Sequence, residues 1–272
     1  MLSACILDPA GGVEPMSGVV RDCTEAPERR PASDALAVRA VIDDSVGCAE
    51  FSLRLLRAEP GARATGGTGA AEELLFVLSG RGRLIAADGE HDLEPEAGAL
   101  LREGERYELA NEGPEDLLIV AVALHEPLPG EAASKTPLSP LSRLADQAPQ
   151  SATGDRQFRI VFDPGNGCPS ATQFVGYIPV GAAPPHYHLY DEVIYVLEGD
   201  GVMHMNAEQA PLQAGSCIHL PARKVHTLAN SGPGTMRVLG VFRPAGSPAA
   251  AFYPDGTPAY PADSQQTAPV ST

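Results

Sequence analysis

The feature that most constrains the fold of this chain is an internal repeat. The segment EELLFVLSG at residues 72–80 is matched by DEVIYVLEG at residues 191–199, so that Glu73 corresponds to Glu192. Each copy is followed by a hairpin, by an Asn-x-Gly turn and by a strongly apolar run. A repeat that preserves the order of several elements indicates a tandem duplication of one domain.

Both copies consist of short apolar runs separated by turns, and the 28 glycines and 26 prolines fit that pattern. Runs of this length predict β-strands packed as a sandwich or a barrel, so we expect an all-β fold. The predicted divisions are an irregular arm (1–33), an N-terminal domain (34–125), a Pro- and Ser-rich linker (126–155), a C-terminal domain (156–246) and a mostly disordered tail (247–272).

The charge balance limits the partners. A formal net charge of -16 disfavours nucleic acid and anionic membranes, because both repel an acidic surface. No apolar run is long enough to span a bilayer, and the N-terminus has no basic region typical of a signal peptide. The five cysteines are scattered and form no C-x-x-C pair, which favours a reducing cytoplasm.

A cluster of metal-binding residue types lies in the C-terminal domain. His186 and His188 are two residues apart, and side chains at that spacing project from the same face of an extended strand. Glu192 begins the next apolar run, and His226 follows a turn that contains proline. Three imidazoles and one carboxylate suit Fe(II), Mn(II), Ni(II), Cu(II), Co(II) or Zn(II), and the pattern alone leaves these open.

The spacing around the first histidines resembles the first motif of the cupin superfamily, G-x5-H-x-H-x3,4-E-x6-G. The matching residues are Gly181, His186, His188, Glu192 and Gly199. The departure from the motif is that four residues, rather than five, separate the first glycine from the first histidine.

The second cupin motif, G-x5-P-x-G-x2-H-x3-N, is matched by Gly215, Pro221, His226 and Asn230. Arg223 replaces the second glycine of the motif, which predicts an altered turn. The resemblance implies a bicupin of two tandem double-stranded β-helix, jelly-roll-like barrels. It implies one divalent metal in the C-terminal barrel, bound by the three histidines and the glutamate.

The N-terminal domain fits the same fold without the same ligands. Gly67 and Gly69 occupy the positions of the paired histidines, Glu73 is retained, and Tyr107 falls near the position of the third histidine. A lone carboxylate does not hold a transition metal tightly. We therefore predict a structural or oligomerising role, the alternative being a small-molecule pocket lined by Glu73, Tyr107 and Arg102.

Three residues near the motifs are candidates for catalysis. Gln173 and Tyr177 alternate on the strand that enters the site and are predicted to touch substrate, although Tyr177 could equally pack in the barrel wall. His219 lies on the strand before His226, where it is either an acid or base beside the metal ligands or an ordinary strand residue.

The resemblance leaves several functions open. A dioxygenase-type oxidoreductase that uses Fe(II) or Mn(II) is the first hypothesis, because this ligand set leaves positions for a substrate and O₂. The alternatives are a non-redox lyase, isomerase or aminohydrolase of the ureidoglycine aminohydrolase kind, and a non-catalytic binding protein. The expected substrate is a small polar metabolite. A carboxylate on that substrate is compatible with the acidic chain, because a bound metal reverses the local field inside the pocket. The resemblance also implies a homodimer, because cupin barrels commonly pair through their sheet edges.

Overall fold

The computed structural model describes residues 18–30, 35–126, 140–153, 155–205 and 207–259. Nearly all of the regular structure in these ranges is antiparallel strand, as the sequence predicts. The helical elements of the described ranges are three single 3-10 turns, at Cys23–Glu25, Asp44–Val46 and Leu144–Asp146. None of them is long and apolar enough to cross a bilayer.

The strands of the first half are β1 (Val19–Asp22), β2 (Leu36–Ile42), β3 (Phe51–Ala58), β4 (Arg63–Gly67), β5 (Glu73–Ser79), β6 (Gly82–Ala86), β7 (Gly89–Leu93), β8 (Ala97–Leu101), β9 (Arg106–Ala110) and β10 (Leu117–Leu124). Those of the second half are β11 (Leu141–Arg143), β12 (Gln150–Ser151), β13 (Gln157–Phe162), β14 (Thr172–Ile178), β15 (Gly181–Ala182), β16 (Asp191–Glu198), β17 (Gly201–Met205), β18 (Glu208–Leu212), β19 (Ser216–Leu220), β20 (His226–Asn230) and β21 (Met236–Arg243).

Each half forms one barrel from a large and a small sheet. The N-terminal barrel has the strand orders β11-β8-β5-β10-β3-β2 and β4-β9-β6-β7. The C-terminal barrel has the orders β1-β19-β16-β21-β14-β13-β12 and β15-β20-β17-β18. When each strand is replaced by its counterpart in the repeat, the two sets of orders coincide, with β12 as an additional edge strand. The tandem duplication predicted from the sequence is therefore confirmed.

The apolar runs that revealed the repeat are buried on both faces. In β5, Leu75 and Val77 pack inside the N-terminal barrel, whereas Leu74 and Phe76 pack against the other domain. Strand β16 divides in the same way, with Ile194 inside its own barrel. A strand covered on both sides is apolar at successive positions, which explains the runs ELLFVLS and EVIYVLE. The two large sheets thus share one core between the barrels.

The barrels exchange their edge strands. β1 pairs with β19 of the C-terminal barrel, from Val19↔His219 to Asp22↔Ser216, although it precedes the N-terminal barrel in the chain. β11 pairs with β8 of the N-terminal barrel. The expectation of an irregular arm over 1–33 and a plain linker over 126–155 was therefore wrong at these strands. Strands of three or four residues are too short for a periodic signal, and their partners are distant in the sequence.

The expectation of a mostly disordered tail from residue 247 was wrong for its first part. The backbone groups of Phe252 and Tyr187 exchange two hydrogen bonds of 2.9 Å, and the Ala259 amide donates to the Ala251 carbonyl. Ala249, Ala251 and Ala259 are buried. This segment closes the C-terminal barrel through backbone pairing and small side chains, neither of which raises the hydropathy of the sequence. Residues 260–272 lie outside the described residues.

Candidate metal centre

Three histidines meet inside the C-terminal barrel. His186 and His226 face each other on adjacent chain segments and exchange backbone hydrogen bonds of 3.1 and 2.8 Å. The ring centroids of His186, His188 and His226 are 4.6 to 5.1 Å apart. One ligand nitrogen from each ring lies within 4.8 Å of the other two. The clustering expected from the spacing of these residues is present in the structure.

A backbone carbonyl fixes the tautomer of each ring. The Nδ1 atom of His186 is 2.8 Å from the Pro184 carbonyl oxygen, and that of His226 is 2.8 Å from the Lys224 oxygen. The Nδ1 atom of His188 is 2.7 Å from the carbonyl oxygen of Ala250. A carbonyl only accepts hydrogen bonds, so each neutral ring must carry its proton on Nδ1. All three Nε2 lone pairs are therefore free, which is the state that a metal ligand needs.

The surroundings keep the rings uncharged. Burial lowers the pKa of His226 to about 3. Burial, together with repulsion from His226 and His186, holds the pKa of His188 well below its usual range. The pKa of His186 is lowered for the same reason, with the Pro184 hydrogen bond opposing the change. Near neutral pH no proton has to leave these rings before a cation binds.

Glu192 lines the same cavity, on strand β16, and is 4% exposed. Its carboxylate is not part of the three-histidine group whose ligand atoms lie within 4.8 Å of one another. Burial, and secondarily the charge of Asp191, raises the pKa of Glu192 to about 8. The metal-free site thus holds three neutral imidazoles beside a mostly protonated carboxyl group.

The cavity in front of the histidines has a volume of about 110 Å³. Much of its wall is apolar and includes Phe158, Phe174, Ile194, Met203 and Leu228. Aromatic packing supports the ligands from behind: the Tyr190 ring stacks on His188 with centroids 4.6 Å apart and on Phe242 at 3.9 Å. The histidines are therefore backed by aromatic packing and face a small cavity whose wall is mostly apolar.

The turn before His226 holds Arg223, which stands where the motif has glycine, in a conformation that glycine favours. Arg223 has φ of 64°, in the left-handed region that favours glycine, and its amide donates to the His188 carbonyl at 2.7 Å. A non-glycine residue adopts this conformation at a cost of about 1–2 kcal/mol. The altered turn expected from the substitution stays a prediction.

Two of the three catalytic candidates do not lie in the cavity. On β14 the alternate residues Phe174, Gly176 and Ile178 line the cavity, and Gln173 lies on the opposite face. A β-carbon built on Gly98 of the N-terminal barrel would lie 3.1 Å from the Gln173 Oε1 atom. The prediction that Gln173 touches substrate is corrected, because this residue is buried between the domains.

His219 is likewise on the domain side of β19. Its Nε2 atom is 2.8 Å from Asp191 Oδ1, and Cys48 of the N-terminal barrel completes a second compact group of side chains there. Burial raises the pKa of the Cys48 thiol to about 12. His219 therefore lies at the domain interface, and its prediction as an acid or base beside the metal ligands is corrected.

Tyr177 remains a candidate, since it contributes to the cavity lining. Its ring also lies 5.6 Å from the Arg237 guanidinium, on the outer side of the sheet, and packs against the core between the domains. The structure therefore shows the packing alternative, and contact between Tyr177 and substrate stays a prediction.

The equivalent place in the N-terminal barrel is filled by protein. Glu73 forms an ion pair with Arg54 and a hydrogen bond with Tyr107. A β-carbon at Gly66 would lie 2.4 Å from the Tyr107 ring, so glycine is required there. The retained glutamate is thus paired with an arginine cation rather than with histidines. Arg102, the third residue of the pocket alternative, is exposed.

Comparison with known proteins agrees with this architecture. Residues 173–242 match the family model of the cupin domain. The chain has the bicupin fold. The match covers most of the segment that carries the C-terminal ligands, and the repeat extends the same strand order to the N-terminal barrel. Among curated proteins, none matches the sequence.

Several solved structures share the bicupin fold at low identity. A putative glyoxylate-induced protein from Pseudomonas aeruginosa is 18% identical with a TM-score of 0.68, covering 83% of this chain and 88% of its own. Oxalate decarboxylase from Lactobacillus farciminis is 16% identical with a TM-score of 0.68, covering 84% and 86%. Protein YlbA from E. coli is 13% identical with a TM-score of 0.69, covering 84% and 90%.

Two contributors to the site had no signal in the sequence. Ala250 supplies only a backbone carbonyl, which any residue could provide. Arg156, at the border of the predicted linker and the C-terminal domain, lines the cavity although it lies outside both cupin motifs.

Proposed function

We propose that this bicupin is an enzyme that uses one divalent transition metal per chain to act on a small polar metabolite. The ion is held by His186, His188 and His226, with Glu192 as the fourth ligand. The observation that supports this most strongly is the set of three Nε2 lone pairs left free by carbonyl-bound Nδ1 atoms. All three rings carry their proton on Nδ1, and packing alone does not explain why three separate histidines share that tautomer.

A dioxygenase-type oxidoreductase with Fe(II) or Mn(II) is the first candidate, with Zn, Ni, Cu or Co as further ions that suit these ligands. When bound, the ion supplies a Lewis-acid or redox centre with open coordination positions. The chain's own contribution is to orient the three imidazoles and to exclude water. The apolar wall and the C-terminal segment, which includes Ala249 and Ala251, perform the second task.

A non-redox lyase, isomerase or aminohydrolase is the second candidate, and the position of Glu192 favours it. The glutamate lies outside the three-histidine group, and its pKa is raised to about 8. A buried carboxyl group that is protonated near neutral pH can donate a proton to a substrate. The two candidates therefore assign Glu192 different roles, as a metal ligand or as a general acid.

Anaerobic reconstitution separates the candidates. The metal-free protein is loaded with Fe(II), Mn(II) or Zn(II), and O₂ uptake is followed during incubation with small organic acids. O₂ consumption that depends on substrate and on His226 supports the dioxygenase, with His204→Ala as a matched control outside the cluster. Turnover without O₂ supports the second candidate. Stoichiometric metal with no turnover of any acid leaves a binding protein and contradicts both enzymatic proposals.

We also infer a homodimer and a cytoplasmic location. The four cysteines in the described ranges are all free thiols, as a reducing compartment would keep them. Light scattering coupled to gel filtration measures the oligomeric state directly, and a monomer mass at micromolar concentration would contradict the dimer.

A further inference from the structure

Arg156 brings a positive charge into the wall of the candidate cavity. Among the lining residues that the structure describes, it is the single lysine or arginine. It belongs to a short stretch between β12 and β13 that also contributes Ala152 and Thr153 to the lining. The field of Arg156 lowers the pKa of His186, His188 and His226, so its charge acts on the same space as the candidate ligands.

A bulge in the neighbouring strands explains how the arginine is held. β15 pairs with β20 at Ala182↔Ala229, and pairing resumes at His186↔His226. Three residues on one side, 183–185, therefore oppose two on the other, and two of the three are prolines that have no amide proton. The Leu228 carbonyl, which faces this gap, accepts a hydrogen bond of 2.7 Å from Arg156 Nη2.

The guanidinium has a backbone partner and no carboxylate partner in the described part of the chain. Burial alone lowers the pKa of Arg156, with no acidic side chain opposing that effect. The guanidinium also carries a fork of donors, of which one is used by Leu228. A partly buried cation without a counter-charge is costly, and an anionic ligand would offset that cost.

We propose that Arg156 binds the carboxylate of the substrate, so that the substrates of this cavity are small monocarboxylic acids with a compact apolar body. This inference rests on the proposed function, because it assigns a substrate class to the same site. Guanidinium and carboxylate match as a planar, two-point pair. The apolar wall formed by Phe158, Phe174 and Met203 suits the remainder of the molecule.

The size and the charge of the cavity also support small monocarboxylic acids as the substrate class. The volume of about 110 Å³ is somewhat smaller than the roughly 150 Å³ cavity that binds benzene, which limits the ligand to about six heavy atoms. With a divalent ion bound and Glu192 ionised, Arg156 leaves the cavity with an excess positive charge. A carboxylate reduces that excess, whereas an amide or alcohol of the same shape does not.

The test uses butyrate and its uncharged analogue butyramide on the full-length protein. Apparent affinities are measured by thermal-shift titration of the metal-free protein, and Co(II) binding is measured in parallel. We expect butyrate to bind at least about tenfold more tightly than butyramide, since hydrogen bonds to charged groups are the stronger ones. Arg156→Gln should abolish this preference, Arg156→Lys should retain part of it, and Arg106→Gln, an exposed control, should retain all of it.

Each outcome decides one question. Equal binding of butyrate and butyramide by the wild-type protein, or an unchanged preference in Arg156→Gln, overturns the role of Arg156. If Arg156→Gln unfolds because the Leu228 contact is lost, the Arg156→Lys variant and the wild-type comparison still decide. Failure to bind Co(II) with an intact preference for butyrate contradicts the proposed metal site and leaves the carboxylate site standing.

Discussion

Binding of a metal to this protein should release close to one proton at pH 7, and that proton should come from Glu192. The pKa of this buried carboxyl is about 8, so at pH 7 about ten protonated molecules exist for each ionised one. A glutamate must lose its proton to become a ligand, which gives a release of about 0.9 proton per ion. The histidines add nothing, because burial keeps them neutral.

Calorimetric titration of the metal-free protein with Co(II) measures this release, when it is repeated in buffers that differ in ionisation enthalpy. At pH 9 the carboxyl is already about nine-tenths ionised, so the release should fall to about 0.1 proton. Glu192→Gln removes the titrating group and keeps its shape, and its release should be smaller than that of the wild-type protein by the same 0.9 proton at pH 7.

The comparison with Glu192→Gln separates the carboxyl from any proton lost by water on the ion. If both proteins release the same number of protons at pH 7, Glu192 does not become a ligand. That result would refute the reasoning and would favour the second candidate function, in which Glu192 keeps its proton as a general acid.

Three further predictions concern stability. Arg223→Gly should stabilise the fold by about 0.5 kcal/mol in urea unfolding, since relief of about 1–2 kcal/mol of left-handed strain is partly offset by about 0.5–1 kcal/mol of glycine entropy; a destabilised variant would contradict the strain. Asn230→Ala should cost about 2–4 kcal/mol, because the buried amide binds the carbonyls of Ile178 and Gly234 and the amide of Gly232; a cost below 1 kcal/mol would argue against these bonds. The metal-free protein should lose stability as the pH falls from 6.5 toward 3, since the unfolded chain binds a proton that folded His226 does not; His226→Ala should flatten that loss in pH-dependent unfolding curves.

The sequence was sufficient for the features that depend on local spacing. Two histidines in an H-x-H pair must share a face of an extended strand, and the structure brings His186 and His188 together with His226. The duplication was also visible, because strands buried on both faces carry long apolar runs that are easily compared. Because these strands are buried on both faces, their sequences do not indicate which side chains point into the barrel.

The catalytic candidates show that difficulty. Strand β14 reads TQFVGYI and is buried on both faces, so no alternation of polar and apolar residues indicates which side chains enter the barrel. Gln173 and His219 were therefore placed by their proximity in sequence to the ligands, whereas both face the other domain. Arg156 was missed for the opposite reason. Its place in the cavity depends on a bulge opposite Leu228, and no spacing rule connects the two.

The measurement that most directly tests the central claim is the metal content of the purified and reconstituted protein. Elemental analysis and Co(II) titration should give one ion per chain for the wild-type protein and for His204→Ala, whose histidine lies on β17 outside the cluster. His226→Ala should lose the ion while keeping its strand content by circular dichroism. One ion per chain in a folded His226→Ala variant, at wild-type affinity, would contradict the three-histidine site.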